Sequence, residues 1–408
     1  MNTQKSFTAS LSSLLERYCN EPLLSSLLSD LNKMNDSEKK AVSQARVESK
    51  ELNIIENSFL ENIKTRCKQE LPAREYGELI IEIGNLCISF GEFSHAKECY
   101  GDAVAIAKDN SRFSDIAGRA LVKRSEINIR HTAWKASLQD LRDAQRFYSK
   151  PKNILGLADV ESNSGVLYAS QGNLKKAYGH FKKALSLYEK VKNADMTSTT
   201  LMNLGIVANI KGQYNDAVTF FQRALPQFEQ AGDMARLPEV HHNLGMALLS
   251  KRDYEAAITQ FDESLTYSTR LSFEPMIGIS LLGKASAYAK YGDNILSIAY
   301  TNNALNIFRK LNDHLSIADA YKLKGVVQRE MKNLDIAEIY LQTSIRLNTE
   351  HNNLLNLGES LYELGLLYKA RNDKSKSSDA LKKSMTYFKS VGAEQDLQLA
   401  KAELSRLN

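Results

Sequence analysis

Asn203-Leu-Gly-Ile-Val-Ala-Asn-Ile-Lys-Gly-Gln-Tyr-Asn-Asp-Ala217 is the stretch on which the reading of this chain turns. Its apolar and small residues, continued by Leu201, Phe221 and Ala224, fall at steps of three and four until Gly212 interrupts them. That spacing puts one apolar face on each side of a break, so it predicts helix, turn, helix. The first helix is expected from about Thr199 to Lys211 and the second from about Tyr214 to Ala231, closed by Gly232. Forty residues further on, Asn243-Leu-Gly-Met-Ala-Leu-Leu-Ser-Lys-Arg-Asp-Tyr-Glu-Ala-Ala257 repeats the pattern.

The repetition extends in both directions. Gly84, Ser125, Gly165, Gly205, Gly245, Ala285, Gly325 and Gly365 form one column of small residues, spaced by 41 residues once and by 40 thereafter. Seven residues on stand Gly91, Gly172, Gly212 and Gly292, and twelve on stand Ala96, Ala177, Ala217, Ala257 and Ala337. A fixed period of this size marks a repeat array whose units bury their apolar faces against their neighbours. Glycine inside a helix costs about 1 kcal/mol relative to alanine, so the six glycines of the first column need a compensating reason. Close approach of the paired helix is the expected one, with Ala217 and Ala224 as the small surfaces opposite Gly205. The aromatic columns Phe93, Trp134, Tyr214, Tyr254 and Tyr100, Phe181, Phe221, Phe261 read as core packing. In the second copy Ser125, Ser137 and Leu141 replace the usual residues, and in the sixth Ala285, Ser297 and Thr301, so looser helix pairs are expected there.

These columns resemble the tetratricopeptide repeat, whose pattern sets Leu-Gly, Tyr, Gly-x-Tyr, Ala, Phe and Ala at fixed offsets. The resemblance covers about 320 residues, from Gly77 to about Leu397. Because the family's basic unit is about 34 residues, a 40-residue step is most similar to the long-helix subclass of kinesin light chain and the Leu-Gly-Asn repeat proteins. The resemblance implies an all-α fold, a right-handed α-solenoid superhelix of about eight helix-turn-helix units with an N-terminal helical cap. It divides the chain into an N-terminal helical region at 1–72, eight tandem units at 73–397 and the end of a C-terminal capping helix at 398–408.

By the same resemblance the concave wall, lined by the first helices, holds a partner peptide or helix. Its groove-facing positions follow the small-residue column by one and four residues and precede it by three. On this sequence they include Asn85, Val166, Met202, Ile206, Asn209, His242, Met246, Leu249, Val326, Arg329 and Leu366. The row Val166, Ile206, Met246 is apolar, unlike the Lys and Asn clamp with which some family members grip acidic C-termini, and an exposed apolar patch marks a binding surface. An apolar or amphipathic segment is the expected ligand.

Composition agrees with a folded, non-membrane chain: 43% of the 408 residues are apolar and 25% charged, and no apolar run approaches the roughly 18 residues of a membrane helix. Met1 to Leu15 lack the continuous apolar core of a secretory peptide, which points to a cytoplasmic location. The four cysteines, Cys19, Cys67, Cys87 and Cys99, have no metal-finger spacing, and Cys87 occupies a core column filled elsewhere by Tyr168, Tyr288 and Tyr368. Between Arg119 and Lys152 nine basic residues face three acidic ones. Arg119, Lys123, Arg124, Arg130 and Lys135 form a basic patch suited to an acidic protein surface at the second and third repeats. The basic residues lie on both helices and largely at solvent positions, so nucleic acid is not the favoured partner.

Before Leu71-Pro72 the repeat signature is absent. Leu11, Leu14, Leu15 and Tyr18 form one stripe and Leu23, Leu24, Leu27, Leu28 and Leu31 another, separated by Pro22, which predicts two short helices. A third, capped by Asp36 or Ser37, is expected to run to about Glu70 with Leu52, Ile55, Phe59, Ile63 and Cys67 on one face. These helices can cap the first repeat, pair with a second copy or fold into the groove, and the cap is favoured.

No phosphate loop, nucleophile elbow, dinucleotide fingerprint or two-histidine zinc spacing occurs, so the sequence gives no support for an enzyme, a cofactor or a metal. The reading is a non-catalytic scaffold or adaptor. The alternative is a peptide sensor with an N-terminal effector domain, whose layout resembles the peptide-responsive regulators of Gram-positive bacteria, although residues 1–70 carry none of their effector signatures.

Overall fold

The computed structural model describes residues 7–30, 54–107, 110–149 and 152–407, and among them the regular elements are helical, with no strand. The chain divides into two compact units, 1–193 and 194–408. The first holds α1 (Phe7–Tyr18), α2 (residues 21–30), α3 (Ile54–Glu70) and three helix pairs: α4 (Ala73–Ser89) with α5 (Phe93–Ile106), α6 (Ser114–Arg130) with α7 (Trp134–Ser149), and α8 (Ile154–Ser170) with α9 (Leu174–Lys190). The second holds five pairs: α10 (Ala194–Ile210) with α11 (Tyr214–Gln230), α12 (Leu237–Ser250) with α13 (Tyr254–Arg270), α14 (Glu274–Tyr291) with α15 (Asn294–Lys310), α16 (His314–Glu330) with α17 (Leu334–Glu350), and α18 (Leu354–Ala370) with α19 (Lys374–Val391). A last helix, α20 (Glu394–Ser405), follows them.

The period of the backbone is half that of the side chains. Most helices are 17 residues long, and a three-residue link joins each to the next. The middle residue of the three-residue link is left-handed, at Gly172, Lys192, Gly212, Arg252, Ser272, Asn312, Lys332, Asn352 and Asn372, and the longer or shorter links carry left-handed Gly232, Gly292 and Gly392 in the same 20-residue register. The left-handed residue's N–H and that of the next residue turn back onto the helix just ended, as where Gly212 N donates to Asn209 O at 3.0 Å and Gln213 N to Ala208 O at 2.9 Å. In five links the third residue caps the next helix: the side chains of Asn173, Asp293, Asp313, Asn353 and Asp373 accept the N–H three residues ahead. Because the chain re-enters a helix at once, α10 begins at Ala194 rather than near Thr199. Pro238 delays α12, whose first turn has no place for a ring further in.

The glycine column leaves room for a side chain of the paired helix, and at Gly325 and Gly365 its backbone also comes within 3.3 and 3.4 Å of the Cβ position. A Cβ on Gly205 would lie 2.6 Å from the Phe221 ring, on Gly165 2.6 Å from Phe181, on Gly84 2.7 Å from Tyr100 and on Gly245 2.8 Å from Phe261. Where the column pairs with a smaller residue, leucine takes the ring's place: Gly325 faces Leu341 at 2.6 Å and Gly365 faces Leu381 at 2.8 Å. A second small column, Gly118, Ala158, Ser198, Pro238, Gly278, Ala318 and Gly358, also keeps a 40-residue step and escaped the sequence reading. It receives the rings at the end of the second helices: Gly278 faces Phe308 at 2.5 Å and Gly358 faces Phe388 at 2.9 Å. The rings of Tyr148, Tyr188, Phe228, Phe308 and Phe388 are all essentially buried.

In the second and sixth copies the substituted hydroxyls are buried and bond only within their own helix, with Ser137 Oγ and Ser297 Oγ left without a partner. Ser125, Ser137, Ser297 and Thr301 are buried, Thr301 Oγ1 donating to Ser297 O at 2.7 Å and Ser125 Oγ to Val122 O at 2.7 Å. The Ser377 hydroxyl donates to Gly365 O at 2.8 Å.

At the other end, Leu11, Leu14 and Leu15 of α1, Leu23 and Leu27 of α2, and Leu60, Ile63 and Cys67 of α3 share one apolar core with Leu79, Ile83 and Cys87 of α4 and Cys99 and Tyr100 of α5. Arg17 pairs with Glu82 at 3.2 Å and Arg66 with Asp30 at 3.3 Å. The N-terminal helices thus cover the first repeat as a cap. Leu31, Asp36, Ser37 and Leu52, assigned to the second and third N-terminal helices, lie outside the described residues.

Candidate ligand cavity of the second unit

The second unit encloses a cavity of about 850 Å³. Its walls come from the first helix of each of four successive pairs and from α20. Residues on each helix recur at steps of three and four, so one face of α12, α14, α16 and α18 is presented. The 40-residue register makes the same columns contribute each time. Leu282, Lys322 and Tyr362 follow His242, while Ser286 and Val326 follow Met246. Asp319, Glu359 and Leu399 follow Ile279, and Asp396 follows Asn356.

Leu399 and Asp396 belong to α20, which begins 40 residues after α18 and so keeps the register of a first helix. Its Leu397 and Ala400 pack against Phe388, and Glu403 takes an ion pair from Lys369 at 2.6 Å.

The lining is apolar on one side and charged on the other. Met246, Ile279, Leu282, Leu323, Val326 and Leu399 supply the apolar part. On the charged part, Lys322 donates to Asp319 at 3.1 Å and to Glu359, and Asn356 Nδ2 donates to Asp319 at 2.9 Å. Arg329 pairs with Glu363 at 2.6 Å and with Glu330 at 3.2 Å.

Burial disfavours the Lys322 ammonium, but Asp319 and Glu359 more than offset this and hold it above the ordinary lysine value. Burial likewise raises the Asp319 carboxyl, against the opposing effect of Lys322. Asp396 is raised by burial and then by the Glu359 carboxylate. His242, in ring contact with Phe261 at 5.5 Å, has its imidazole pushed down to about 4 by burial, so it is neutral at physiological pH. Its Nδ1 is buried with no hydrogen-bond partner.

Of the residues expected to face a groove, His242, Met246, Val326 and Arg329 meet in this cavity. Ile206, Asn209, Leu249 and Leu366 are half-buried in the second unit outside the cavity wall, and Met202 is buried within α10. In the first unit Asn85 and Val166 are exposed, Asn85 accepting from the Tyr100 hydroxyl at 2.7 Å. The apolar row is therefore only partly open, since Ile206 and Met246 are half-covered.

The sequence reading missed Asp319, Glu359, Asn356 and Asp396. They stand six and nine residues before the small-residue column, and following the same face two turns back along the helix would have found them.

Three of the five residues of the basic patch are ion-paired within the first unit. Arg119 pairs with Glu78, Lys123 with Glu126 at 3.1 Å, and Arg124 with Asp140 at 2.6 Å, where Asn128 Nδ2 also donates at 2.9 Å. Arg130 lies over the Phe93 ring at 5.4 Å, and Lys135 is exposed. Glu126 and Asp140 lie within the stretch from Arg119 to Lys152 itself, so among these partners only Glu78 brings in negative charge from outside it.

Among the described residues no group of three or more His, Cys, Asp or Glu side chains is placed to hold a metal ion. Nor is any helix among them long and apolar enough to cross a membrane.

Comparison with known proteins agrees with this geometry. The family model described as tetratricopeptide repeat matches residues 156–230 and 197–270. No curated protein is similar enough in sequence to be matched. Among solved structures, the chain is similar to a signal transduction ATPase with numerous domains carrying a tetratricopeptide repeat sensor, from Pyrococcus horikoshii. The TM-score is 0.57 at 16% identity, over 86% of this chain but only 55% of that one, so this chain spans about half of its length. The apo form of a quorum sensor from B. thuringiensis aligns with a TM-score of 0.56 at 15% identity, over 82% of this chain and 99% of that one. The Rap conjugation gene regulator of the plasmid pLS20, solved in complex with the Phr* peptide, aligns with a TM-score of 0.53 at 17% identity, over 95% of this chain and 97% of that one. The family match thus places tetratricopeptide repeats at residues 156–270, and helix pairs in 40-residue register extend the same fold, shared with these structures, over the rest of the described repeats.

Proposed function

We propose that this chain is a non-catalytic interaction protein that holds a peptide or helix of a partner against the first helices of its second unit. The observation that carries this reading is the cavity of about 850 Å³, walled by α12, α14, α16, α18 and α20. A volume of that order suits a short ligand, and its mixed apolar and polar lining is that of a recognition site. Met246 and Val326 are the apolar anchors, one turn from His242 and Arg329. The 17-residue helices also favour the long-helix subclass of kinesin light chain and the Leu-Gly-Asn repeat proteins. A cytoplasmic location, contact of the basic patch with an acidic protein surface, and pairing through the N-terminal helices remain parts of this proposal.

A peptide-sensing regulator is the second reading. It is favoured by the pLS20 regulator, which shares the fold over 95% of this chain and was solved with a peptide bound. In that reading the N-terminal helices α1 to α3 are the effector and the cavity the receptor.

The test is direct binding by fluorescence anisotropy of a pool of labelled amphipathic octapeptides to the full chain. Met246→Glu with Val326→Glu is expected to weaken binding about 30-fold, equivalent to about 2 kcal/mol at an interface anchor. Unchanged affinity in a folded double variant removes the cavity from the account.

A further inference from the structure

Four thiols lie in the first unit, and the fold sorts them into one that solvent reaches and three that it does not. Cys67, Cys87 and Cys99 are buried, whereas Cys19 is only partly so. Cys19 follows the last residue of α1 and stands in the short link to α2, its N–H donating to Leu15 O at 2.9 Å. Cys67 lies near the end of α3 in the core that it shares with Leu15 and Ile63, and is 0% exposed. Although 48 residues separate the two in sequence, their Sγ atoms are 4.0 Å apart.

That separation is contact between two thiols, and a disulfide requires the sulfurs to close by about 2 Å. The movement falls to the freer partner. Cys67 is held inside a helix, but Cys19 stands in a link of two residues, 19 and 20, where it can turn without displacing a helical residue. The chemical roles differ as well. Burial raises both thiols above the ordinary cysteine value, Cys67 up to about 12, while a hydrogen bond from Cys67 opposes the rise at Cys19. Cys19 is therefore the sulfur that ionises first and the one that a reagent meets first.

From this placement we infer that Cys19 and Cys67 form a peroxide-responsive pair, whose disulfide is a covalent clasp tying the corner between α1 and α2 to α3. The inference concerns the cap alone and does not depend on the ligand cavity. In the first step the Cys19 thiolate attacks one oxygen of hydrogen peroxide and the O–O bond breaks. Cys19 becomes a sulfenic acid, and the hydroxide that leaves takes up the proton Cys19 has shed. In the second step the Cys67 sulfur attacks the Cys19 sulfur, the S–O bond breaks, and the departing hydroxide carries off the Cys67 proton as water. Two thiols and one peroxide thus give one disulfide and two waters, with two electrons passing from sulfur to oxygen. A thiol reductant reverses the result by exchange, as in the transient disulfides of reducing compartments. In the reduced chain α2 and α3 are joined by polar contacts, Arg66 donating to Asp30 at 3.3 Å and to the Ser26 hydroxyl at 2.9 Å, which open without breaking a covalent bond.

The test takes the full chain, reduced and freed of reductant, treats it with hydrogen peroxide, alkylates it and digests it with trypsin under non-reducing conditions. Cleavage after Arg17, Lys33, Arg66 and Lys68 isolates Cys19 in peptide 18–33 and Cys67 in peptide 67–68, apart from peptides 75–97 and 98–108, which hold Cys87 and Cys99. Mass spectrometry is expected to show 18–33 joined to 67–68 as the main disulfide, in a chain that keeps its monomer position on a non-reducing gel. Cys67→Ser removes the resolving thiol and is expected to raise trapping of Cys19 by dimedone at least about fivefold over the wild type. Cys19→Ser is expected to abolish the cross-link without a dimedone adduct on Cys67. Hydrogen exchange in α1 and α3 of the oxidised wild-type chain is expected to slow at least about tenfold and to revert with dithiothreitol.

Absence of the link between 18–33 and 67–68 overturns the pair, as does a disulfide that forms between Cys87 and Cys99 or between two chains in its place. A dimedone adduct that favours Cys67 over Cys19 overturns the order of attack, and exchange in α1 and α3 that oxidation leaves unchanged overturns the clasp. The wild-type peptide map and exchange rates decide the matter even if a variant fails to fold.

Discussion

Gly205 and Gly179 show why one glycine in this chain cannot be replaced and another can. A methyl on Gly205 would meet Phe221 at 2.6 Å, and Phe221 is 1% exposed, so the ring has nowhere to go. Gly179 is exposed on α9 with nothing within 4 Å of an added Cβ. Gly205→Ala is therefore expected to destabilise the chain by about 1–3 kcal/mol through overpacking, whereas Gly179→Ala stabilises it by up to about 1 kcal/mol by helix propensity. Urea denaturation of the two variants checks both signs. His242 gives a second residue-level test. Its folded value of about 4 lies below the ordinary 6.5, so the unfolded chain binds the proton more readily and stability falls as pH drops through that window. The loss is at most about 3 kcal/mol, and His242→Gln is expected to remove most of it. Thermal denaturation at pH 7 and pH 4 measures the difference, and an unaltered pH dependence in the variant contradicts the assignment.

At the scale of helices and links, what could be read from the sequence followed from side-chain chemistry. The helix pairs were legible because Leu, Gly, Ala and aromatic columns repeat at 40 residues, a period set by which face of each helix is buried. The 20-residue period of the backbone was less visible, since Lys192, Arg252, Ser272 and Lys332 occupy left-handed positions where glycine is the usual signal. These residues bring no side-chain signature of their conformation. The companion signal was present, however: Asn173, Asn193, Asp233, Asp253, Asp293, Asp313, Asn333, Asn353 and Asp373 stand beside the left-handed residue in 20-residue register. Five of them cap or are positioned to cap the next helix through a side-chain oxygen at the expected N–H. The close approach of the paired helix at the glycine column was legible, but the sequence gives spacing and not direction, and only coordinates place the Phe221 ring over Gly205. In the cavity, His242, Met246, Val326 and Arg329 were legible from their offset, whereas Asp319, Glu359 and Asp396 were not, because charged residues on a helix usually read as its solvated face.

For the molecule as a whole, two units built from the same hairpin carry different burdens. The first binds its own N-terminal helices through Leu11, Leu15, Leu23, Leu27 and Ile63, and Arg119, Lys123 and Arg124 of its basic patch are ion-paired within it. In the second, α20 adds Asp396 and Leu399 to the wall of the cavity. The proposed reading places ligand recognition there. A ligand that binds only the folded state adds local stability of about 2.7 kcal/mol at a hundredfold excess over its Kd, which slows the opening of the helices it touches about a hundredfold. Hydrogen exchange over the full chain, with and without a saturating amphipathic octapeptide, reads this directly. The account predicts slowed exchange in α12, α14, α16, α18 and α20 with α4 to α9 unchanged; protection confined to α4 to α9, or a bound peptide that protects none of the cavity helices, contradicts it.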